Sequence, residues 1–576
     1  MANRYWVAGG TGNYNSNTNW SATSGGASGA SVPSTADDVF FDASSGVGTA
    51  IINVVSNCRS LNLTGFLGTL QFNSNLSLNG TILNLGTGGY TITGTANLRL
   101  AAAMAITSNG TVYQGNFEFA SYFIYTLTDD LTINGTTIIA SAGNQRINGN
   151  NLYVKSDFLV TSGASGSTQG TTNIILSGTG TWSTIQSSTN SGQIWNNLTI
   201  DTLGTITISG IVYKGGVGTF TYTSGTIIDT GATIVIGGGT TTTVDISGYT
   251  FEKILIVGQI SLLSDINATT FGTTRIGVTT SPSFTLNTFS LNFVNLELGH
   301  IGTLNLPTSW VCQDILFNNT STMTLNTNSI TINGNISQET NGTTMGTTTI
   351  TYSGTGSWQV LSGTGRISNS ITINTAGTLN IISAGIGGGI FTYTAGTVIT
   401  TGSTLFIRAS GTTMNHGSLV WYDVVLGNAL NSGSLPTLVL NNQLVCLNSL
   451  IFGISNTTFS GTDGTFDTFD LYFGSQTNST TNTTLVSAKT YTVRRLLVCD
   501  QAPSAFPKLL RSSSAGTQAI FTLLQGSNID VGFLNATDID SSLGRPIYSY
   551  RGTLTNTLNW QLLPTDVTPE VNTFAS

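Results

Sequence analysis

The residues best suited to chemistry in this chain are a few aspartates. The segment "TDID" (537–540) sets Asp538 and Asp540 on one face of a strand, about 7 Å apart in an extended chain, and "FDTFD" (466–470) offers Asp467 and Asp470. Two carboxylates roughly 5 to 9 Å apart are what glycosidic hydrolysis needs. With Asp463 the same acids are candidates for calcium, although the chain has no Asp-x-Asp-x-Asp-Gly loop. Aspartate is equally the ordinary residue of turns and strand edges. Read that way, these acids leave no catalytic residue and no metal ligand to assign.

His300 and His416 are the only imidazoles, too few to supply the base of a Ser/His/Asp or Cys/His site. The cysteines, Cys58, Cys312, Cys446 and Cys499, are too scattered for a disulfide framework, and no pair has metal-ligand spacing. Three of them precede strands by the same short step, in "CRSLNL", "CQDILF" and "CLNSLIF", which assigns them to packing. Glycine strings such as "GVGTF" precede no helix and cannot cradle a phosphate. No cofactor is expected, and the chain reads as a non-enzyme. Recognition then falls to aromatics. Trp310 and Trp421 belong with the rings that are either packing residues or sugar platforms, and Trp182, Trp195, Trp358, Tyr222 and Tyr393 are the candidate glycan contacts.

The elements that carry these residues are short and repetitive. Alternation of period two, as in "TITI" (205–208), "FTYT" (220–223) and "LTI" (198–200), sets Leu, Ile, Phe or Tyr on one face and Thr on the other. Threonine suits the outer face because it is β-branched and neutral. Helix formers cluster only in "LRLAAAMAI" (98–106), between strand-like segments.

The chain also echoes itself. "SGTGTW" (177–182) returns as "SGTGSW" (353–358), "NNLTID" (196–201) as "NSITIN" (369–374), and "FTYTSGTIIDTGATIVI" (220–236) as "FTYTAGTVITTGSTLFI" (391–407). The offset drifts while the apolar positions persist, as insertions in the loops of a duplicated module of about 175 residues would cause. Many short strands with nested repeats indicate stacked coils that cannot bury an apolar face alone. No proline occurs between Pro33 and Pro282, which keeps every backbone donor available to long parallel ladders. The expected fold is an all-β solenoid, a parallel β-helix with an N-terminal cap and a distinct C-terminal region. Tandem β-sandwiches are the alternative. The expected segments are a cap at 1–45, a first solenoid segment at 46–170, repeat modules at 171–344 and 345–488, and a cap or docking region at 489–576, where 7 of the 17 basic residues fall.

Charged residues make up 7% of the 576 and the net charge is −8. That leaves no basic field for nucleic acid. The hydrophobic content of 39% argues against disorder. No apolar run has the length of a signal-peptide core or a membrane span.

The segments "RYWVAGGTG…NTNWSATSGGASGASVPSTADDVFFD", the repeat "GTNIILSGTGTW…NNLTI…FTYTSGTI" and "GTQAIFTLLQGSNIDVGFLNATDIDSS" resemble the Thr/Gly/Asn-rich β-solenoid virion proteins of tailed bacteriophages, either tail-fibre-like or particle-surface components. The resemblance covers most of the chain. It implies a location on the virion surface, contacts with other virion proteins and with host surface polysaccharide, and a homo-oligomer, a trimer by analogy with fibres. The expected role is structural and adhesive, with a mechanical capsid decoration protein or a polysaccharide-degrading tailspike as alternatives. Neither nucleic acid nor membrane is an expected partner.

Overall fold

The computed structural model describes residues 1–563 other than 121, 142–143, 163–166, 187–191, 238–239, 275–282, 287, 300–301, 320, 340–341, 428–436, 453–455, 474–480, 500–507, 525–527, 532–533 and 551. The described chain is strands and turns; its only helical pieces are single 3-10 turns at Asn17–Asn19 and Ala43–Ser45. It divides into two compact units, residues 1–293 and 294–576. Both are built of stacked parallel coils, so the fold is the expected β-solenoid rather than a string of sandwiches.

In the first unit a coil consists of three short strands separated by turns. Thr69–Phe72, Leu76–Leu78 and Ile82–Asn84 form one coil, and Thr91–Gly94, Asn97–Leu100 and Met104–Thr107 form the next. The two coils pair strand for strand in parallel, with Leu70 beside Ile92, Leu76 beside Leu98 and Leu83 beside Ile106. "LRLAAAMAI" thus contributes two strands. Coil length is not constant: 17 residues separate Thr250 from its partner Asn267, and 26 separate Trp182 from Ile208. The extra residues lie in the turns and bends, which explains the drifting offset of the sequence echo.

Alternation puts every second residue inside. Leu131, Leu152, Ile174, Leu198, Phe220, Val244 and Leu262 form one inward row on seven successive coils, and all are fully buried. In the second unit the row is Trp310, Ile330, Ile350, Ile371, Phe391, Met414 and Leu440, none more than 2% exposed. Each such side chain contributes about 1.5 to 3 kcal/mol of burial free energy. The rows therefore supply the cohesion that a single short coil lacks.

The first coils are closed by an aromatic plug. Trp6, Tyr14, Trp20 and Phe41 are completely buried. Trp20 meets Trp6, Tyr14 and Phe41 edge-on at 5.2, 4.9 and 5.8 Å, and its indole N–H donates to the Tyr14 carbonyl at 2.7 Å. The strand Asn3–Trp6 pairs in parallel with Asp38–Phe40, and Gly12–Asn13 covers Thr49–Ile52. Both spend the donors and acceptors of an edge that would otherwise recruit another chain. Within the second unit, parallel pairing continues past residue 489: Thr490–Cys499 pairs with Ala519–Leu523, which pairs with Ile539–Asp540.

Candidate functional site

The twice-repeated "SGTG" turn is a coil-to-coil joint. Gly178 and Gly354 lie so close to the preceding coil that an added Cβ would stand 1.9 Å from the Lys155 carbonyl oxygen and 1.7 Å from that of Asn333. Thr202 Oγ1 donates to the Gly178 carbonyl at 2.7 Å, and Thr375 Oγ1 to that of Gly354 at 2.6 Å. Each hydroxyl also accepts from the N–H two residues on, at Gly204 or Gly377. In both copies the strand bends there. The strands Asn197–Ser209 and Thr219–Ile228 shift register at Asp201, and Ile371–Ile381 and Ile390–Ile399 shift in the same way at Asn374.

This bend carries a tyrosine in each copy. Tyr222 and Tyr393 are half-buried. Their hydroxyls donate to the carbonyls of Gly225 and Gly396, at 2.8 and 2.7 Å. A Cβ on the facing glycine of the next coil, Gly248 or Gly417, would meet the ring at 3.8 or 3.4 Å. One part of each ring rests on that glycine, and each residue keeps partial exposure. Tyr222 also has Tyr249 at 5.8 Å. Ser224 Oγ donates to Asp201 at 2.8 Å beside it.

Hydroxyl columns adjoin the tyrosines. In the second unit Thr331, Thr351, Thr372 and Thr392 occupy one outward row on four successive coils. Ser329, Thr349 and Ser370 stand two residues earlier on three of the same coils. The result is a two-column grid with steps of about 4.8 Å between coils and about 6.6 Å along a strand. In the first unit Thr199 pairs with Thr221, and Thr219, Thr243, Ser261 and Thr285 continue a second row. Each hydroxyl donates one hydrogen bond and accepts others without carrying charge.

Other candidate contacts move inside. Trp182 and Trp358 are fully buried, as is Trp421, and Trp310 is 2% exposed. Trp182 and Trp358 stack on Ile208 and Ile381 of the next coil, so their inward parity excludes them as glycan contacts. The Trp358 indole donates to Gln338 at 2.8 Å. Trp195 is half-buried at a corner and donates to Gln193 at 2.8 Å.

The acids are likewise engaged. Asp467 is clamped by Arg494, with Nε at 2.6 Å. Asp470 is held by Arg495 at 2.8 Å. Asp538 accepts from the Asn556 amide, Asp540 from the Ser542 N–H at 2.7 Å, and Asp463 from the Thr465 N–H at 3.2 Å. These are ladder pairs and turn caps. Among the described residues no three His, Cys, Asp or Glu side chains cluster as a metal would require.

His300 lies outside the described residues. His416 is buried, and that burial holds its pKa below the usual histidine value. The four cysteines are buried and no disulfide joins them. Burial pushes Cys58 and Cys312 up to about 12 and Cys446 further, which suits packing rather than nucleophilic chemistry. Two features escaped the sequence reading: the alignment of Thr331 to Thr392 in one row, and the bend at Thr202 and Thr375. The echoed "T-x-G" of "DTLGT" and "NTAGT" carried a signal for the second. No protein-family model, no curated protein and no solved structure matches the chain.

Proposed function

We propose that this solenoid is a structural and adhesive component of a bacteriophage particle that contacts host surface glycans without catalysis. The observation that carries the glycan contact is the duplicated tyrosine bend beside neutral hydroxyl columns. Sugar rings have an apolar face suited to a half-open tyrosine and a hydroxyl periphery suited to Thr, Ser and Asn. Each contact is weak, and repetition along a unit and among copies supplies avidity through high effective concentration. The virion placement rests on the resemblance of the N-terminal and repeat segments, and imaging purified particles with labelled antibody tests it.

The contact itself is tested with the full chain and isolated host polysaccharide. Binding is expected to change little between low and high salt, because few charges take part. Replacing both Tyr222 and Tyr393 by Ala is expected to weaken it at least tenfold while leaving the melting profile near that of the parent. Undiminished binding by the double variant would reject the tyrosine platforms. Steady release of reducing ends would reject the non-catalytic role.

A further inference from the structure

A polar seam runs through one corner of each unit. Thr172, Asn196 and Gly218 occupy three successive coils, each two residues before an inward residue of the paired row Ile174, Leu198 and Phe220. Thr348, Asn369 and Gly389 do the same before Ile350, Ile371 and Phe391. The same residue types thus recur in the same order. Asn196 donates from Nδ2 to the carbonyls of Ile147 and Thr172 at 2.9 and 3.0 Å, and Asn369 donates to that of Thr348 at 3.1 Å. That uses the amide nitrogens only. The Oδ1 atoms of Asn196 and Asn369, in side chains 0% and 2% exposed, have no hydrogen-bond partner. A buried acceptor left unpaired costs about 1 to 3 kcal/mol.

The glycine that follows each asparagine in the seam adds no side chain and leaves room beside it. The two units fill that room differently. In the first, the fully buried Lys214 sends its amine into the corner, with Nζ 2.8 Å from the Gly215 carbonyl and 2.9 Å from that of Gly218. In the second, the strand Ser383–Ile386 ends at the corresponding place in Ile386, whose apolar chain has no donor. There the corner keeps a cavity of about 10 Å³ lined by Asn369, Ile386, Gly387, Gly389 and Thr412 among others. That is about the space one water needs, and in a wall otherwise made largely of Ile367, Ile371, Ile386, Ile390 and Phe391 the polar side chains are those of Asn369 and Thr412.

We propose that this corner of the second unit is a binding site for one buried water that donates to Asn369 Oδ1; in the first unit the Lys214 amine fills the corresponding corner and donates to the Gly215 and Gly218 carbonyls instead. The ligand is a neutral donor rather than a cation. Burial alone drives Lys214 down to about 7, so the equivalent corner disfavours positive charge, and no carboxylate contributes to that shift.

The test is a near-atomic crystal structure of the full chain grown in rubidium chloride, with anomalous data, beside that of Ile386→Lys. The parent should show a single peak within hydrogen-bond reach of Asn369 Oδ1 without anomalous signal. The peak should vanish in the variant as the introduced amine enters the corner. A parent map with no peak would overturn the proposal in favour of a dry cavity, and an anomalous peak would overturn it in favour of a monovalent cation. Both outcomes are read from the parent alone, so the proposal stays falsifiable even if the variant does not fold.

Discussion

The thermal midpoint should rise as pH increases from 7 to 9, and Lys214→Met should flatten that rise while lifting the midpoint at pH 7. Lys214 has an ordinary value of 10.5 and is lowered to about 7 by burial in the folded chain. Between those limits the unfolded chain holds the proton and the folded chain does not, so unfolding takes up a proton and higher pH favours the folded state. One proton contributes about 1.4 kcal/mol per pH unit, or roughly 3 kcal/mol from pH 7 to 9. Lys508, 3% exposed and also lowered by burial, acts in the same direction. His416 extends the trend downward, since acidification below its ordinary 6.5 protonates the unfolded chain first. Above 9 the buried thiols oppose it, because Cys58, Cys312 and Cys446 ionise in the unfolded chain before the folded one. Lys214→Met removes the cost of charging an amine that has no acidic partner in its corner, which is why the midpoint at pH 7 should rise. The second unit already carries Ile386 at the matching strand end. A midpoint flat from pH 7 to 9, unaltered by Lys214→Met, would refute the buried amine.

The second large effect is expected at the joint glycines. Gly354→Ala and Gly178→Ala should each lower stability by about 3 kcal/mol, because the new Cβ meets a backbone oxygen of the preceding coil at 1.7 or 1.9 Å, and backbone relieves overpacking less readily than a side chain. Gly411→Ala serves as the control. Gly411 has a φ of 72° with nothing within 4 Å of an added Cβ, so only the left-handed conformation resists it, at about 1 to 2 kcal/mol. Denaturant melts of the three variants compare these costs. Equal losses at all three positions would show that close coil approach is not what the "SGTG" turn provides.

Much of the fold was legible because parity and repetition are local properties. The alternation in "FTYT" and "LTI" marks Phe220, Leu198 and Ile200 as inward, and so they lie. The same parity reads Trp182 as inward, since Thr181 and Ser183 flank it. Its burial was therefore available from sequence, but the prominence of indole as a sugar platform pointed the other way. Tyr222 defeats simple parity. It lies two residues after Phe220, yet the bend at the Asp201 register shift turns it partly outward. Lys214 is harder still. It shares an inward row with Ile194 and Ile236, and only the carbonyls of Gly215 and Gly218, brought round by the corner, make that tolerable. The outward threonine row depends on which residues coil registers bring side by side, a non-local fact set by variable turn lengths. The acids at 467 and 470 were placed by spacing alone, and their arginine partners come from the following coil.

The aromatic plug at the first coils also governs growth. Stacked parallel coils are in effect a polymer whose monomer is one turn, and every uncovered turn end is an active chain end. Trp6, Trp20 and the strand Asn3–Trp6 cover that end, in the position a capping reagent takes in a step-growth reaction. Removing residues 1–45 should consequently convert a species of fixed mass into one whose mass grows with concentration, as measured by light scattering, because head-to-tail contacts that do not close make open filaments.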